Sequence, residues 1–270
     1  MAAAGASAAA TALTGRLPEQ WRRPWARTNH AGDPVTLLEG PVWVAGAVAG
    51  LALADRERRR PATALVVTAA GLGMLDDLAG STSSKGLRGH LAALGKGEVT
   101  TGAVKLLGLA ATGLAAAAAV DHGQAGRGHS HGRRLVRTVV AGGVIAGTAN
   151  LANLLDLRPG RALKSVIALA APMALPSPTA AAAVGASLGV LADDLDSRSM
   201  LGDTGANAAG ALVGLAFVER TGPVGRAVIL AALTALTLAS ERVSFSAVID
   251  RQPLLRRLDQ WGRPAPDASR

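Results

Sequence analysis

An all-α fold is what this sequence predicts: a polytopic membrane helix bundle of about eight transmembrane helices, with its active-site loops on the cytoplasmic face. Three observations lead there. The chain is 49% hydrophobic yet only 2% aromatic, and its apolar mass is Ala, Leu, Val and Gly, the small residues that let membrane helices pack closely. Apolar runs alternate with polar loops along the 270 residues. The carboxylates collect in loops that the alternation puts at one end of the bundle. A mean hydropathy of +0.29 agrees. The chain has no cysteine, which removes disulfides and thiolate metal sites. Its net charge of +9 lies between apolar runs, with no aromatic platform for bases, so it suits anionic lipid and a phosphorylated substrate and excludes nucleic acid.

The chain opens on small, weakly apolar residues without the basic n-region of a signal peptide, which reads as a frayed or partial first helix. Residues 16–40 are polar, and Trp21 and Trp25 among Arg22, Arg23 and Arg27 suit the headgroup layer. Eight apolar runs follow, at 41–54, 61–75, 102–120, 135–149, 162–175, 179–192, 208–218 and 224–240. Several are shorter than the ~20 residues a span needs, so their helices must extend into the flanking polar segments. The chain divides into a polar, basic N-terminal segment (1–40), a transmembrane domain (41–243) and a basic C-terminal tail (244–270), where Arg251, Arg256 and Arg257 stand beside Leu254 and Leu255.

Two runs separate each of the loops after Asp76, Asn150 and Asp193 from the next, so all lie on one side together with residues 16–40 and the tail. That side holds 18 of the 28 Lys and Arg residues, all four lysines and 15 of the 19 acids. The positive-inside rule makes it cytoplasmic, although Arg58-Arg59-Arg60 on the other side argues against this. Carboxylates and lysines on one face suit Mg²⁺ and a diphosphate, because Mg²⁺ takes one or two carboxylates plus phosphate oxygens and cations balance the remaining charge.

The second run ends on the adjacent acids Asp76 and Asp77, and acids at the mouth of a membrane helix usually sit on a functional path. Beyond them come Lys85, Arg88 and His90, then Lys105-Leu106-Leu107-Gly108, then Asn150-Leu151-Ala152-Asn153-Leu154-Leu155-Asp156, and then Gly202-Asp203-Thr204-Gly205. Taken together and in this order, these stretches resemble the polyprenyl-phosphate N-acetylhexosamine-1-phosphate transferases. The likeness runs from roughly Thr28 to Gly214 and takes in Asn29-His30-Ala31-Gly32 with Gly40. Asp76-Asp77 matches the family's Asp-Asp motif, residues 150–156 its Asn-x-x-Asn-x-x-Asp motif, and residues 202–205 its Gly-Asp-x-Gly motif.

The resemblance implies transfer of a sugar-1-phosphate from a UDP-N-acetylhexosamine to polyprenyl phosphate, with loss of UMP, at the bacterial cytoplasmic membrane in cell-envelope glycan synthesis. It implies Mg²⁺ as cofactor, held by Asp203 and Asp77. Catalytic roles fall to Asp76, Asp77 and Asp156, and substrate binding to Asn150, Asn153, Lys85, Lys105, Arg88 and His90. It leaves room for a homodimer. Two departures stand out. Pro159 occupies the place of the family's second Asp in that region, and residues 240–246 lack its late His-rich loop. Those departures motivate an alternative, a relative that binds a lipid-linked or nucleotide ligand without catalysis. A cation transporter is a further one, disfavoured because the acids sit at helix ends rather than at mid-membrane depth.

Each motif also has a plain structural explanation. Asp203 could cap a helix beginning near Asn207. Asn150 and Asn153 could be interhelical hydrogen-bond glue. Asp193, Asp194 and Asp196 match no motif and read as a solvated loop, and His129-Ser130-His131 falls on the opposite side from the acids.

Overall fold

The computed structural model describes residues 1–29, 32–79, 89, 95–97, 100–123 and 131–264. Among them the chain is helical apart from one small hairpin. Helix α1 is Ala2–Thr14 and α2 is Glu19–Arg22. Strands β1 (Ala26–Thr28) and β2 (Pro34–Thr36) pair antiparallel. Then come α3 (Glu39–Leu51), α4 (Arg56–Ala79), α5 (Thr101–Gly123), α6 (His131–Leu155), α7 (Arg161–Ala170), α8 (Pro178–Leu195), α9 (Gly202–Arg220) and α10 (Pro223–Ser240). Two short helices, α11 (Phe245–Arg251) and α12 (Pro253–Gln260), close the chain.

Each predicted apolar run falls within or largely within one helix, from α3 to α10, and most helices extend into the polar flanks. Among the described residues four helices are long and apolar enough to cross a membrane: α4, α5 over Thr101–Val120, α6 and α10. Their outward faces carry Val67, Leu107, Leu114, Val139, Val228 and Leu238 uncovered, as lipid-facing positions do. The chain is thus a membrane protein built as an all-α bundle.

Helix α9 is the centre. Fourteen of its nineteen residues are buried, and α3, α4, α6 and α8 surround it. A helix buried on all sides needs no amphipathic stripe, and α9 has Ala, Gly, Leu and Val all round. Small residues set the spacing throughout. Ala3 and Ser7 of α1 lie against Gly46, Gly50, Gly185 and Gly189, so the opening segment is a packed helix rather than a frayed one.

Both ends of α9 are closed by side chains from elsewhere. At its C-terminus the buried Arg226 donates from Nη2 to the Val218 carbonyl at 2.7 Å and from Nε to the Thr221 carbonyl at 3.1 Å. At its N-terminus carboxylates take the free backbone N–H groups. Positive charge at the C-terminus and negative charge at the N-terminus complement the helix dipole. The C-terminal end of α4, the start of α5, the end of α6 and the start of α9 meet here, which puts the motifs of residues 76–77, 105, 156 and 203 at one end of the bundle.

Candidate functional site

The site begins with the close approach of α4 to α9. Gly73 makes it feasible, since a β-carbon there would lie 2.1 Å from the Asp203 carbonyl oxygen. One turn later Asp77 reaches the first turn of α9. Its Oδ1 accepts from the Asp203 backbone N–H at 3.0 Å, and its Oδ2 accepts from the Thr204 N–H at 2.8 Å and the Thr204 hydroxyl at 2.6 Å. Asp77 therefore caps α9 from another helix, doing what an N-cap residue does locally. The local N-cap residue, Leu201, has no side-chain acceptor. Gly202 turns the chain into the helix at φ +60°, and any side chain there would press on the Asp77 carboxylate 3.0 Å away. Helix α9 thus starts five positions before Asn207, and its cap is Asp77, not Asp203.

Asp76 points elsewhere, to Lys105 on the first turns of α5. The Lys105 ammonium donates to Asp76 Oδ2 at 2.9 Å and to Asp203 Oδ2 at 2.5 Å. Its side chain is 13% exposed and each carboxylate 22%, so the triad is sheltered but open on one side. Lys105 has three N–H donors and spends two on these acids, which leaves one for a ligand.

Asp156 completes the ring of acids. It lies just past α6, beside the Gly202 backbone N–H, while the next two N–H groups of α9 go to Asp77 of α4. Burial, with the charges of Asp194 and Asp203 nearby, pushes the Asp156 carboxyl well above the usual carboxylate range. Asp76, Asp77, Asp156 and Asp203 thus stand around this helix end, with both Asp77 oxygens taken by α9 rather than turned to a shared metal.

Behind this ring lies a set of groups that the sequence did not reveal. Asp194 is 1% exposed and lies beside the Gly160 N–H, while its Oδ2 has no hydrogen-bond partner among the described residues. The expectation of a solvated loop is corrected here. Helix α8 runs on to Leu195 and turns Asp194 inward, while only Asp193 and Asp196 face solvent and pair with Arg198 at 2.8 and 3.1 Å. Glu39, at the start of α3, is also buried and accepts from the Ser199 hydroxyl at 2.5 Å. Strand β2 ties this corner together, with Met200 N–H donating to the Thr36 carbonyl at 3.0 Å. Beside it, Arg27 of β1 donates to the Asp77 carbonyl. The sequence places Arg27 among the headgroup residues, and nothing local in it ties Arg27 to Asp77.

The remaining expected residues divide. Asn150 donates to the Thr237 hydroxyl of α10 at 3.2 Å, so it acts as interhelical glue. Asn153 lies half-buried one turn before Asp156. Lys85, Arg88 and His90 lie outside the described residues, as do His30 and His129.

The donor set can be tested against Mg²⁺. Among the described residues no three Asp, Glu or His side chains are placed to hold a metal by themselves. Asp76 and Asp203 share one cation already, however, and two carboxylates at that separation are what Mg²⁺ takes when phosphate oxygens and water supply its other ligands. Both oxygens of Asp77 are engaged by α9. The donors therefore fit a magnesium that arrives with a phosphorylated substrate, bound on the Asp76–Asp203 side. The chain matches no protein-family model and no curated protein.

Proposed function

We propose that the chain is a Mg²⁺-dependent phosphoglycosyl transferase of eight spans, acting at the cytoplasmic face of a bacterial plasma membrane. It would move an N-acetylhexosamine-1-phosphate from a UDP-sugar to polyprenyl phosphate and release UMP, in cell-envelope glycan synthesis. The observation that carries this is the Asp76–Lys105–Asp203 cluster. Asp76 and Lys105, near the ends of two membrane-length helices, meet Asp203 on the first turn of α9, in the combination that a diphosphate and its cation require.

An oxygen of polyprenyl phosphate attacks the phosphorus that bears the sugar. The new P–O bond forms as the bond from that phosphorus to the UMP oxygen breaks, and UMP carries away the electron pair. A phosphate monoester with a second pKa of about 6 is already largely ionised at neutral pH, so no strong base is needed. The work left to the protein is alignment and charge neutralisation. Asp76 and Asp203 would hold Mg²⁺, which when bound supplies positive charge to the diphosphate. Lys105 gives its third N–H to a phosphate oxygen. Asp77 fixes the position of Asp203 through the Asp203 amide and acts as a positioning residue. Asp156, at the helix mouth near Gly202, and Asn153 one turn before it would orient the donor.

The test is a transfer assay in membrane vesicles of known sidedness. It uses radiolabelled UDP-N-acetylglucosamine and UDP-N-acetylmuramoyl-pentapeptide separately, polyprenyl phosphate and Mg²⁺. Inverted vesicles should release UMP in step with lipid-linked product, and sealed right-side-out vesicles should not. No product from folded protein with either donor would defeat the proposal, and product only in right-side-out vesicles would reverse the orientation.

A further inference from the structure

The tail after α10 is organised in a way the site does not use. Only four residues separate α10, a helix long and apolar enough to span a membrane, from α11. The tail therefore starts at the water boundary of whatever bilayer holds α10. It is then clamped to the bundle. The Arg161 guanidinium, 4% exposed, donates to Asp259 from Nε at 2.6 Å and Nη2 at 3.1 Å, and to the Ser246 hydroxyl at 2.8 Å. Lys164 donates to the carbonyls of Leu258, Asp259 and Trp261 at 3.1, 2.6 and 3.0 Å. Arg263 donates to the Pro159 carbonyl and to Asp259, both at 2.9 Å.

The clamp takes the Asp259 side of α12 and leaves another side bare. Leu254, Leu258 and Trp261 follow one another at the spacing of one helix face and are 70%, 56% and 74% exposed. Asp259 lies about 100° round the helix from Leu258, at 3.6 residues per turn. Arg256 and Arg257 stand on the remaining sides, uncovered, with Arg251 just before. A bare apolar stripe bordered by arginines, on a helix held next to the end of a membrane span, is the pattern of a helix lying in the bilayer interface.

We propose that α12 and Trp261 lie on an anionic bilayer surface, with Leu254, Leu258 and Trp261 in the headgroup–acyl boundary and Arg251, Arg256 and Arg257 against lipid phosphates. The Arg161–Asp259 pair holds the helix at that depth. The occupant is lipid rather than another protein, because the segment starts at the end of a span and its free side chains are apolar or positive, matching an anionic leaflet. The proposal rests on the chain being a membrane protein and is independent of the transferase chemistry.

The chain lacks cysteine, so single nitroxide labels are clean. Labels at Leu258→Cys, Gln260→Cys and Ala231→Cys in nanodiscs containing phosphatidylglycerol are compared by collision with oxygen and with a water-soluble nickel reagent. The Leu258 label should favour oxygen several-fold over the Gln260 label, as the Ala231 label in α10 does. It should move toward water in pure phosphatidylcholine, or when Arg256→Gln and Arg257→Gln are combined. If the Ala231 label is in lipid and the Leu258 label is in water, the proposal fails while the membrane assignment stands. Dipolar broadening between Leu258 labels on separate copies would give this face to a second chain and also overturn it.

Discussion

Removing the Asp77 carboxylate should cost more stability than removing any other acid at the helix mouth. Asp77 accepts from two backbone N–H groups and one hydroxyl at the start of α9, the helix on which the bundle is built. Loss of an N-cap costs about 1 kcal/mol, loss of a partly buried charge at a helix N-terminus up to ~2 kcal/mol, and loss of a hydroxyl bond to a carboxylate about 1.5–3 kcal/mol. These overlap because they share one group, so Asp77→Ala should cost roughly 3 kcal/mol in all. At about 2–4 °C per kcal/mol that lowers the unfolding temperature by ~6–12 °C. Asp77→Asn should fall between, since its amide group offers one acceptor oxygen where α9 presents two backbone donors. Thr204→Val should be milder still, and Asp77→Ala should cost less in a Thr204→Val background than in the wild type. Thermal unfolding in detergent, followed by helical circular dichroism, measures the series against Leu78→Ala, an exposed neighbour. Equal melting of Asp77→Ala and Leu78→Ala would refute the capping argument, and strict additivity with Thr204→Val would remove the hydroxyl from it.

Three further outcomes follow from the same contacts. Lys105→Gln leaves Asp76 and Asp203 without their shared cation, so Mg²⁺ should raise its unfolding temperature more than that of the wild type; equal shifts would separate Lys105 from the metal side. Gly73→Ala should prevent folding, because its β-carbon would meet a backbone oxygen that cannot move aside, whereas Gly71→Ala has open space and should express normally. Burial raises the Asp259 carboxyl, but hydrogen bonds and charge from Arg161 and Arg263 outweigh that and hold it below its ordinary value. A depressed pKa gives stability that is present above the unfolded value of ~3.9 and is lost as pH falls through the folded value. Protease nicking of the tail should therefore stay slow from neutral pH to about pH 4 and speed up below it. In Asp259→Asn it should be fast throughout, and a flat profile in the wild type would contradict the clamp.

Much of this was readable from residue order. The alternation of apolar runs locates the helices from α3 to α10, because each run sits wholly or largely in one helix and most of these helices reach into polar flanks. The order of runs and loops predicts that Asp76, Asp77, Asp156 and Asp203 lie at one end of the bundle, and the family resemblance predicts that they gather there. What parity cannot say is which oxygen meets which donor. Asp76 and Asp77 are neighbours in sequence, yet their 100° separation on α4 sends one to Lys105 and the other to the α9 backbone. Asp194 looks solvated in sequence because it is one of three acids in a run of four residues, and only the extra turn of α8 buries it. The hairpin of β1 and β2 has three-residue strands, too short for any periodic signal. The tail clamp depends on Arg161 meeting Asp259 across 98 positions, which no local pattern records.

The central claim is that Asp203 acts by its charge toward a phosphate-bound cation. Asp203→Asn keeps the size of the side chain and leaves the Asp203 N–H bond to Asp77 in place. The measurement is the rate of UMP release with Mg²⁺, donor and polyprenyl phosphate for the wild type, Asp203→Asn and Asp196→Asn, the last being a surface acid paired with Arg198. Asp203→Asn should fold normally and lose on the order of 10²-fold or more in rate, the scale of one lost transition-state electrostatic contact, while Asp196→Asn stays near wild type. Equal, near-wild-type rates in both variants would contradict the assignment of Asp203 to the metal.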